Sequence, residues 1–451
     1  MIARPVLLAL SLIAGMLIGA PAASAAEVCT APTPSTTQPG YLVADPDCDL
    51  NGTPFTALAG ARVHTGIRDG AAYRIEVPEN WNGRLALYAH GYRGTGTTVY
   101  VGSPDLRAHW VSNGYAWAAS SYATNGYDVG QGVRDSYALI GLFQELTGKR
   151  ARKVYMTGDS MGGHITAVAI EEYPRAFAGA MPTCGVLGDV ELFDYFLDAN
   201  LTAAALAGVE TTFPIDAATW AAQVAQIKPA LGLPAPLTDA GKTWSDVVER
   251  RSGGERPGFE SAFRYWNTAQ QAGLPFLFSV HPATSGGTVG IAPGNLTDNR
   301  RTFYRSTDKL WPTAAEWQLN RDVLRVKRTA AADPGLAGVP RIDGRPPVPV
   351  LSLHGIGDLF VPFSMEQEYA REAKRNGRSH LFVSRAIRDV AHCGFTQAER
   401  QRGFDDLVRW VEGGRKPAGD AILDRRAVAS ASFGCRFTEG VRPAFVAPPC
   451  S

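Results

Sequence analysis

The stretch "TGDSMGG", residues 157–163, decides the fold, because it places a serine between glycines at two residues on either side. In a chain with 48 glycines among 451 residues, the pattern Gly-x-Ser-x-Gly is expected by chance roughly 0.2 to 0.3 times. The pattern alone is therefore weak. The residues around Ser160 have to show whether it is a nucleophile or part of an ordinary turn.

The flanks of this stretch predict a strand followed by a helix. The run "RKVYMTG" (152–158) is short and apolar and ends in glycine, as a buried strand does. After the serine, Met161, Ile165 and Val168 recur at helical spacing until Pro174 ends the pattern. At such a strand-to-helix turn the glycines are needed, because larger side chains would collide with the neighbouring strand and helix. This context favours a nucleophile.

Strands and helices alternate around this turn, which predicts an α/β protein with a mainly parallel sheet flanked by helices. The apolar runs predict strands at 71–78, 84–91, 115–122, 177–184, 348–355 and 380–387. The amphipathic patterns predict helices at 132–148, from Ser364 to about Arg375, and through 404–414.

A long segment without clear strands interrupts this alternation. It contains alanine-rich and tryptophan-bearing helical stretches at 216–232 and 313–330. Because it lies between two sheet strands, we expect a mainly helical cap over the carboxyl ends of the strands. The predicted divisions are a signal peptide at 1–25, an N-terminal segment at 26–60, a first core part at 61–185, a cap at 186–345, a second core part at 346–415, and a disulfide-linked tail at 416–451.

The first residues predict export. Arg4 is followed by an apolar run over 6–18, and "ASA" at 23–25 precedes Ala26, which is the pattern of a secretory signal cut after Ala25. A membrane-spanning helix needs about 20 apolar residues, and Pro21 interrupts the run before that length is reached. We therefore expect a secreted protein without a stable membrane anchor.

The even number of cysteines favours disulfides, because an exported chain meets an oxidising environment. Six cysteines allow about 15 pairings. Proximity favours Cys29 with Cys48 and Cys435 with Cys450, which leaves Cys184 and Cys393. No Cys-x-x-Cys or His-Glu-x-x-His spacing occurs, so neither a metal site nor a cofactor is predicted.

The charge of the chain is nearly balanced. Its formal net charge is +1, with 19% charged and 45% hydrophobic residues. These values are ordinary for a folded globular protein and exclude a largely disordered one. They also argue against nucleic acid or an anionic membrane as a partner.

Four motifs in order carry a family resemblance: "AHGYRG" (89–94), "GDSMGG" (158–163), "LHGIGDLFVP" (353–362) and "VAHCGF" (390–395). With them, residues 60–190 and 345–415 resemble the α/β-hydrolase family. The resemblance is to its secreted esterase, lipase and cutinase-like members and to prolyl oligopeptidase-type catalytic domains. It implies an α/β-hydrolase fold and hydrolysis by an activated serine.

In this fold the acid and the histidine follow the serine along the chain. Asp358 and His392 each follow a predicted strand, so both are expected near Ser160 at the carboxyl ends of the strands. We predict Ser160 as nucleophile, His392 as general base and then general acid, and Asp358 as the carboxylate that orients the imidazole. The resemblance implies an oxyanion hole formed by the backbone N–H groups of Tyr92 and Met161.

Other residues compete for these roles. Asp189 follows the strand that ends near Cys184, and Asp389 lies three residues before the histidine, so either is an alternative acid. We expect His90 to shape the oxyanion loop without taking protons. Structural roles are expected for the histidines in a helix, at a strand end and at a strand start: His164, His354 and His380.

The leading hypothesis is a secreted serine hydrolase that cleaves a small-molecule or polymeric carboxylic ester through an acyl-enzyme. The alternative is a peptidase or amidase of prolyl oligopeptidase-like type. Such an enzyme would need an acidic pair in the cap to bind the free amino terminus of its substrate. Glu171–Glu172 and Glu191 are not assigned to such a pair by sequence alone. A binding protein on an inactive scaffold is disfavoured, because every triad position is filled.

Overall fold

The computed structural model describes residues 29–282, 296–329, 336 and 339–450. The signal peptide predicted at 1–25 lies outside these residues, as do parts of the predicted cap. The strands of the described residues are, in chain order, β1 Thr33–Pro34, β2 Leu42–Val43, β3 Ala61–Arg68, β4 Ala71–Pro78, β5 Arg84–Ala89, β6 Thr98–Val99, β7 Ala116–Ser120, β8 Lys153–Asp159, β9 Gly179–Thr183, β10 Gln270–Gln271, β11 Leu274–Pro275, β12 Val350–Gly355 and β13 Phe382–Ile387.

One large sheet forms the centre of the molecule. Its eight strands run in the order β13-β12-β9-β8-β5-β7-β4-β3. The pairs from β13 to β7 are parallel, whereas β4 pairs antiparallel with both β7 and β3. The predicted mainly parallel sheet is confirmed. Because the parallel strands share one direction, the loops after β5, β8, β9, β12 and β13 meet at the same edge.

Helices cover both faces of the sheet and fill the segment between β9 and β12. They are α1 Arg107–Ser112, α2 Val129–Thr147, α3 Met161–Glu172, α4 Glu191–Leu206, α5 Ala217–Leu231, α6 Asp239–Arg251, α7 Phe259–Thr268, α8 Phe276–Ser279, α9 Ala314–Asp322, α10 Ser364–Arg375, α11 Gln397–Gly413 and α12 Arg425–Val428. None of the helices described here is long and apolar enough to span a bilayer.

The segment 186–345, called the insertion below, contains α4 to α9 and the two-residue strands β10 and β11. It is packed against the sheet domain through its own apolar core. That core includes Trp220, Trp244 and Trp266 of the insertion together with Leu359 and Val361 of the loop after β12. The insertion and that loop therefore share one buried interior.

Among the elements that differ from the sequence prediction, two are instructive. Strand β3 is an additional strand, and helix α9 ends at Asp322 although the helical pattern continues to residue 330. The chain leaves the helix because the backbone N–H of Val326 donates to the side chain of Asn299, at 2.7 Å. This long-range hydrogen bond competes with continued helix.

Two of the three disulfides join the cysteines that sequence proximity paired, and the third joins the two that were left. The bridges are Cys29–Cys48, Cys184–Cys393 and Cys435–Cys450, with Cα–Cα distances of 5.8, 5.2 and 5.4 Å. The first and last close short loops of the chain. The middle bridge spans 209 residues and ties the loop after β13 to the end of β9.

Candidate active site

Ser160 occupies the turn between β8 and α3. Its backbone angles are φ 60° and ψ −120°, a conformation that costs a residue with a side chain on the order of 1–3 kcal/mol. The turn is possible because the residues two positions before and after Ser160 are glycines. A Cβ on Gly158 would collide with the carbonyl of Gly162, and one on Gly162 would collide with the carbonyl of Ala89. The glycines flanking the serine are thus sterically required.

The hydroxyl of Ser160 is not used by the helix that it precedes. Ser160 stands at the N-cap of α3, yet its side chain makes no capping hydrogen bond. The first N–H groups of a helix have no acceptor within it, and the helix dipole places positive charge at that end. The N–H of Met161, the first residue of α3, is one of these donors. An anion that forms at Ser160 therefore lies beside a positive helix end.

Asp358 lies in the loop after β12 and is fully buried. Its Oδ1 accepts hydrogen bonds from the backbone N–H groups of Phe360 (2.9 Å) and Val361 (3.1 Å). Its Oδ2 lies 2.6 Å from Nδ1 of His392. The two backbone donors fix the orientation of the carboxylate and leave its second oxygen for the imidazole.

His392 lies in the loop after β13, with 18% of its side chain exposed. Nε2, the nitrogen that does not face Asp358, has no hydrogen-bond partner among the described residues. The ring centroid lies 4.9 Å from that of Phe360. A carboxylate on Nδ1 selects the tautomer whose Nε2 carries a lone pair, so this nitrogen is free to accept a proton.

A short chain of contacts joins the histidine loop to the serine turn. The backbone N–H of Ser160 donates to the carbonyl of Thr183 at 3.0 Å. The next residue, Cys184, is bonded to Cys393, which directly follows the histidine. The structure thus brings Asp358 and His392 into contact. It also links the histidine loop to the serine turn through the Cys184–Cys393 disulfide and the hydrogen bond between Thr183 and Ser160.

The loop after β5 lies against the serine. A Cβ on Gly91 would lie 3.1 Å from Cβ of Ser160, so this loop approaches Ser160 as closely as a glycine allows. The side chain of the next residue, Tyr92, packs against two apolar cores: the core between the sheet and the helices on one of its faces, and the core of the insertion. The predicted oxyanion loop is therefore next to Ser160.

His90 is buried at the base of this loop and stacks on Tyr122, with 4.0 Å between ring centroids. Its Nδ1 lies 2.7 Å from the carbonyl of Gly91, and its Nε2 lies 3.1 Å from that of Ser121. Burial, with Arg93 nearby, lowers the pKa of His90 to about 3, which keeps the ring neutral. These contacts hold the loop in place.

The other histidines also have structural surroundings. His164 is buried between the hydroxyl of Tyr127 (3.1 Å) and the carbonyl of Pro340 (2.8 Å), and burial lowers its pKa to about 4. His354 is fully buried; burial disfavours its protonation, but Glu366 at 3.2 Å outweighs burial and raises its pKa. His380 is exposed on a short 3-10 turn.

The two alternative acids are engaged elsewhere. Asp189 accepts from the backbone N–H of Ile342 at 2.9 Å and pairs with Arg341 at 3.2 Å. Burial raises the pKa of Asp189 to about 6. Asp389 accepts from the guanidinium of Arg442 at 2.5 Å and from the backbone N–H of Ala391. Only Asp358, among these three carboxylates, contacts the imidazole of His392.

Residues of the insertion hold the acid and histidine loops, and no sequence motif points to them. The indole N–H of Trp266 lies 3.1 Å from the carbonyl of Gly357 and 2.9 Å from that of Val390. It therefore bridges one residue of each loop. The buried guanidinium of Arg256 donates to the carbonyl of Ile356 at 2.6 Å. Their spacing along the chain gives no signal of this role, because the contacts span about a hundred residues.

His392 and two neighbouring cysteines form a group of potential metal ligands. Ligand atoms of Cys184, His392 and Cys393 lie within 4.8 Å of one another. Both sulfurs are, however, bonded to each other, and metal ligation by cysteine requires the thiolate. This group therefore offers only the imidazole in the disulfide-bonded protein.

Comparisons with known proteins give limited similarity. No family model matches the chain. The chain is 25% identical over 425 residues to o-phthalyl amidase from Xanthobacter agilis, covering 81% of this chain and 90% of that protein. Among solved structures it is similar to feruloyl esterase B from Aspergillus oryzae (17% identity, TM-score 0.44, 81% of this chain and 83% of that one). It is also similar to tannin acyl hydrolase from Aspergillus niger (15% identity, TM-score 0.39, 79% and 78%).

The architecture itself identifies the fold. A mostly parallel sheet carries a glycine-flanked serine on a strained turn between a strand and a helix. A buried aspartate follows β12 and a histidine follows β13, in the chain order serine, acid, histidine. The chain therefore has the α/β-hydrolase fold.

Proposed function

We propose that the protein is an exported serine hydrolase that cleaves carboxylic esters through a covalent acyl-enzyme. Ser160 is the nucleophile, His392 the general base and Asp358 the orienting carboxylate. The observation that carries this proposal is the 2.6 Å contact between Nδ1 of His392 and Asp358, with Nε2 of the same ring unpartnered among the described residues. One ring nitrogen is thus held and the other is available.

The proton path follows from this arrangement. Asp358, with two backbone N–H groups on one oxygen, accepts a hydrogen bond from Nδ1–H on the other, so Nε2 accepts the serine proton during attack. The new bond joins Oγ to the substrate carbonyl carbon. His392 then gives the proton to the departing alcohol. Water repeats the sequence on the acyl-enzyme: His392 takes a proton from water and returns it to Ser160 as the acid leaves.

The negative oxygen of the tetrahedral intermediate needs donors that are in place before the reaction. The proposal assigns these to the backbone N–H groups of Met161 and Tyr92. The start of α3 at Met161 supports the first, and the close approach of Gly91 to Ser160 supports the second. A single such donor is typically worth about 10²- to 10³-fold in kcat.

Amide hydrolysis is the second candidate, and the similarity to an o-phthalyl amidase favours it. A peptidase would in addition need acidic groups for a free amino terminus. Glu171 is a poor choice, because its carboxylate accepts from the backbone N–H groups of Asp343 and Arg345, both at 2.7 Å. Esters carry the better leaving group, so a triad without such a clamp should favour them.

Export is part of the proposal. The leader predicted before Ala26 and the three disulfides support an oxidising, extracytoplasmic environment. Cell fractionation of the expressing organism would test this directly, with mass determination of the mature amino terminus.

The deciding experiment compares substrate classes against an inactive variant. Ser160→Ala should lose roughly a million-fold in kcat and all labelling by a fluorophosphonate, while melting as the parent does. The parent should hydrolyse short p-nitrophenyl esters faster than an N-phthalyl amide and aminoacyl p-nitroanilides. Faster cleavage of either amide would replace the ester proposal with the second candidate. Undiminished labelling of Ser160→Ala would remove the serine from the mechanism.

A further inference from the structure

Arg400, on the first turn of α11, lies behind the serine turn and is almost completely buried. Its guanidinium contacts both the serine turn and the loop that carries His392. One terminal nitrogen donates to Oδ1 of Asp159, the residue directly before the nucleophile, at 2.9 Å. The other lies 3.3 Å from the carbonyl oxygen of Cys393, the residue directly after the histidine.

Other polar groups contact Asp159 and Arg400. The second oxygen of Asp159 accepts from the hydroxyl of Tyr88 at 3.2 Å, and its first also accepts from Thr183. Asp105, about half exposed, lies 3.2 Å from the same guanidinium. Burial alone would lower the pKa of Arg400, but these carboxylates outweigh it and raise the pKa. The guanidinium is therefore a permanent cation between two chain segments.

The contact to Cys393 adds to the disulfide. Cys184 holds the sulfur of Cys393, whereas Arg400 holds its carbonyl oxygen. The disulfide holds the side chain of Cys393, and Trp266 holds the loop at Val390. The contact of Arg400 with the carbonyl oxygen adds a restraint on the backbone of Cys393, and with it on the position of the neighbouring imidazole.

We propose that Arg400 is a positioning residue that sets the separation between Oγ of Ser160 and Nε2 of His392 through Asp159 and the carbonyl of Cys393. This inference rests on the proposed function, because it assumes that these two atoms exchange a proton. Arg400 does not touch the substrate. Its loss should therefore lower kcat and leave KM within about threefold, since a displacement of about 1 Å can cost on the order of a hundred-fold.

If Arg400 only stabilised the fold, its variants should behave differently from those of a positioning residue. Removing one member of a buried ion pair leaves an uncompensated charge, so Arg400→Gln destabilises the fold whatever else it does. Asp159→Asn combined with Arg400→Gln removes both charges and should restore much of the melting temperature. If Arg400 only stabilises the fold, kcat should recover with it. If Arg400 positions the loop, kcat should stay low in the stable double variant.

The test measures kcat, KM, fluorophosphonate labelling rate and melting temperature for Arg400→Gln, Arg400→Lys and the double variant. Arg402→Gln is the control, on the same helix with an ion pair to Glu439 but about half exposed. We expect kcat and labelling to fall about 10- to 100-fold in Arg400→Gln and in the double variant, with partial recovery in Arg400→Lys and no change in the control.

Parental kcat in the double variant would overturn the inference, as would a loss confined to KM. Ser160→Ala separates this result from the proposed function. If Ser160→Ala is inactive while the Arg400 variants keep their kcat, only the positioning role fails. If Ser160→Ala remains active, the proposed mechanism fails and the inference fails with it.

Discussion

The serine turn at 157–163 and the acid and histidine loops at 356–361 and 388–395 are built in different ways. The turn is shaped by neighbours in sequence, since glycines provide the space for Ser160. The two loops are held by distant residues: Trp266 and Arg256 from the insertion, and Cys184 from the sheet. The difference teaches that a local motif can specify the turn around the proposed nucleophile, whereas the proposed base is positioned by contacts from distant parts of the fold.

Among the residues of the acid and histidine loops, the largest effect is expected from the carboxylate that orients His392. Asp358→Asn should lower kcat by about ten-thousandfold, because an amide at this place favours the wrong imidazole tautomer. Asp389→Asn, in the same loop as His392, is the matched control and should keep most activity. Steady-state kinetics with a p-nitrophenyl ester measure both. A larger loss in the Asp389 variant would reverse the assignment.

The next prediction concerns the disulfide that joins the two regions. Replacing Cys184 and Cys393 by serine should lower kcat about a hundred-fold at temperatures where the protein is still folded, because the histidine loop loses its covalent attachment. Circular dichroism checks the fold, and kinetics measure the loss.

Replacement of Cys435 and Cys450 by serine is the control, because this bridge closes a separation of 15 residues in the tail. It should affect kcat far less. Mass mapping of the active parent should find Cys393 bonded to Cys184. A free thiol at Cys393 in fully active protein would show that the Cys184–Cys393 disulfide is not needed for activity.

A smaller effect should come from the insertion. Trp266→Phe removes the donor to the carbonyls of Gly357 and Val390 and should lower kcat about tenfold. Trp220→Phe is matched to it, because the indole of Trp220 donates to Phe278 within the insertion at 2.8 Å. Each loses a buried hydrogen bond worth about 1–3 kcal/mol of stability. Equal kcat in both variants would contradict a link between insertion and catalysis.

The smallest effect is a pH dependence of stability at the end of the insertion. Burial raises the pKa of Glu171 to about 7, even though the N–H groups of Asp343 and Arg345 favour its charged form. Its stabilising contribution is thus present below the unfolded pKa, about 4.5, and is lost as pH rises through 7. Melting temperature should fall by about 2–4 °C between pH 5 and 8.

Glu171→Gln should remove that part of the pH dependence, because glutamine does not ionise. Its amide oxygen still accepts one of the two backbone N–H groups. Scanning calorimetry at both pH values measures the difference. A pH dependence as large in Glu171→Gln as in the parent would assign it to other groups, such as Asp189.

The sequence predicted what depends on local pattern. Strand β4 and helix α10 have the predicted bounds, and Asp358 and His392, chosen from the chain order of serine, acid and histidine, lie in contact. Strand β3 was missed because it is an edge strand whose residues are partly exposed on both faces, so apolar and polar side chains do not alternate clearly.

The parts that sequence did not predict depend on distance in space. Nothing in the spacing of Trp266 or Arg256 indicates which carbonyls they bind, because these carbonyls belong to loops about a hundred residues further on. The pairing of Cys184 with Cys393 followed only from elimination. Such contacts form only in the folded protein, where the sheet places these loops side by side, so the sequence pattern gives no sign of them.

The 209-residue separation of Cys184 and Cys393 has a consequence for biosynthesis. A chain that enters an oxidising compartment amino terminus first exposes the thiol of Cys184 long before its partner arrives. Cys29 and Cys48 are already there and offer wrong partners in the meantime. If the chain is exported as proposed, we therefore expect an isomerase that exchanges mixed disulfides to promote correct maturation, and a host that lacks one to yield more chains oxidised in the wrong pairing. We expect the yield of active protein to depend on the expression host for this reason.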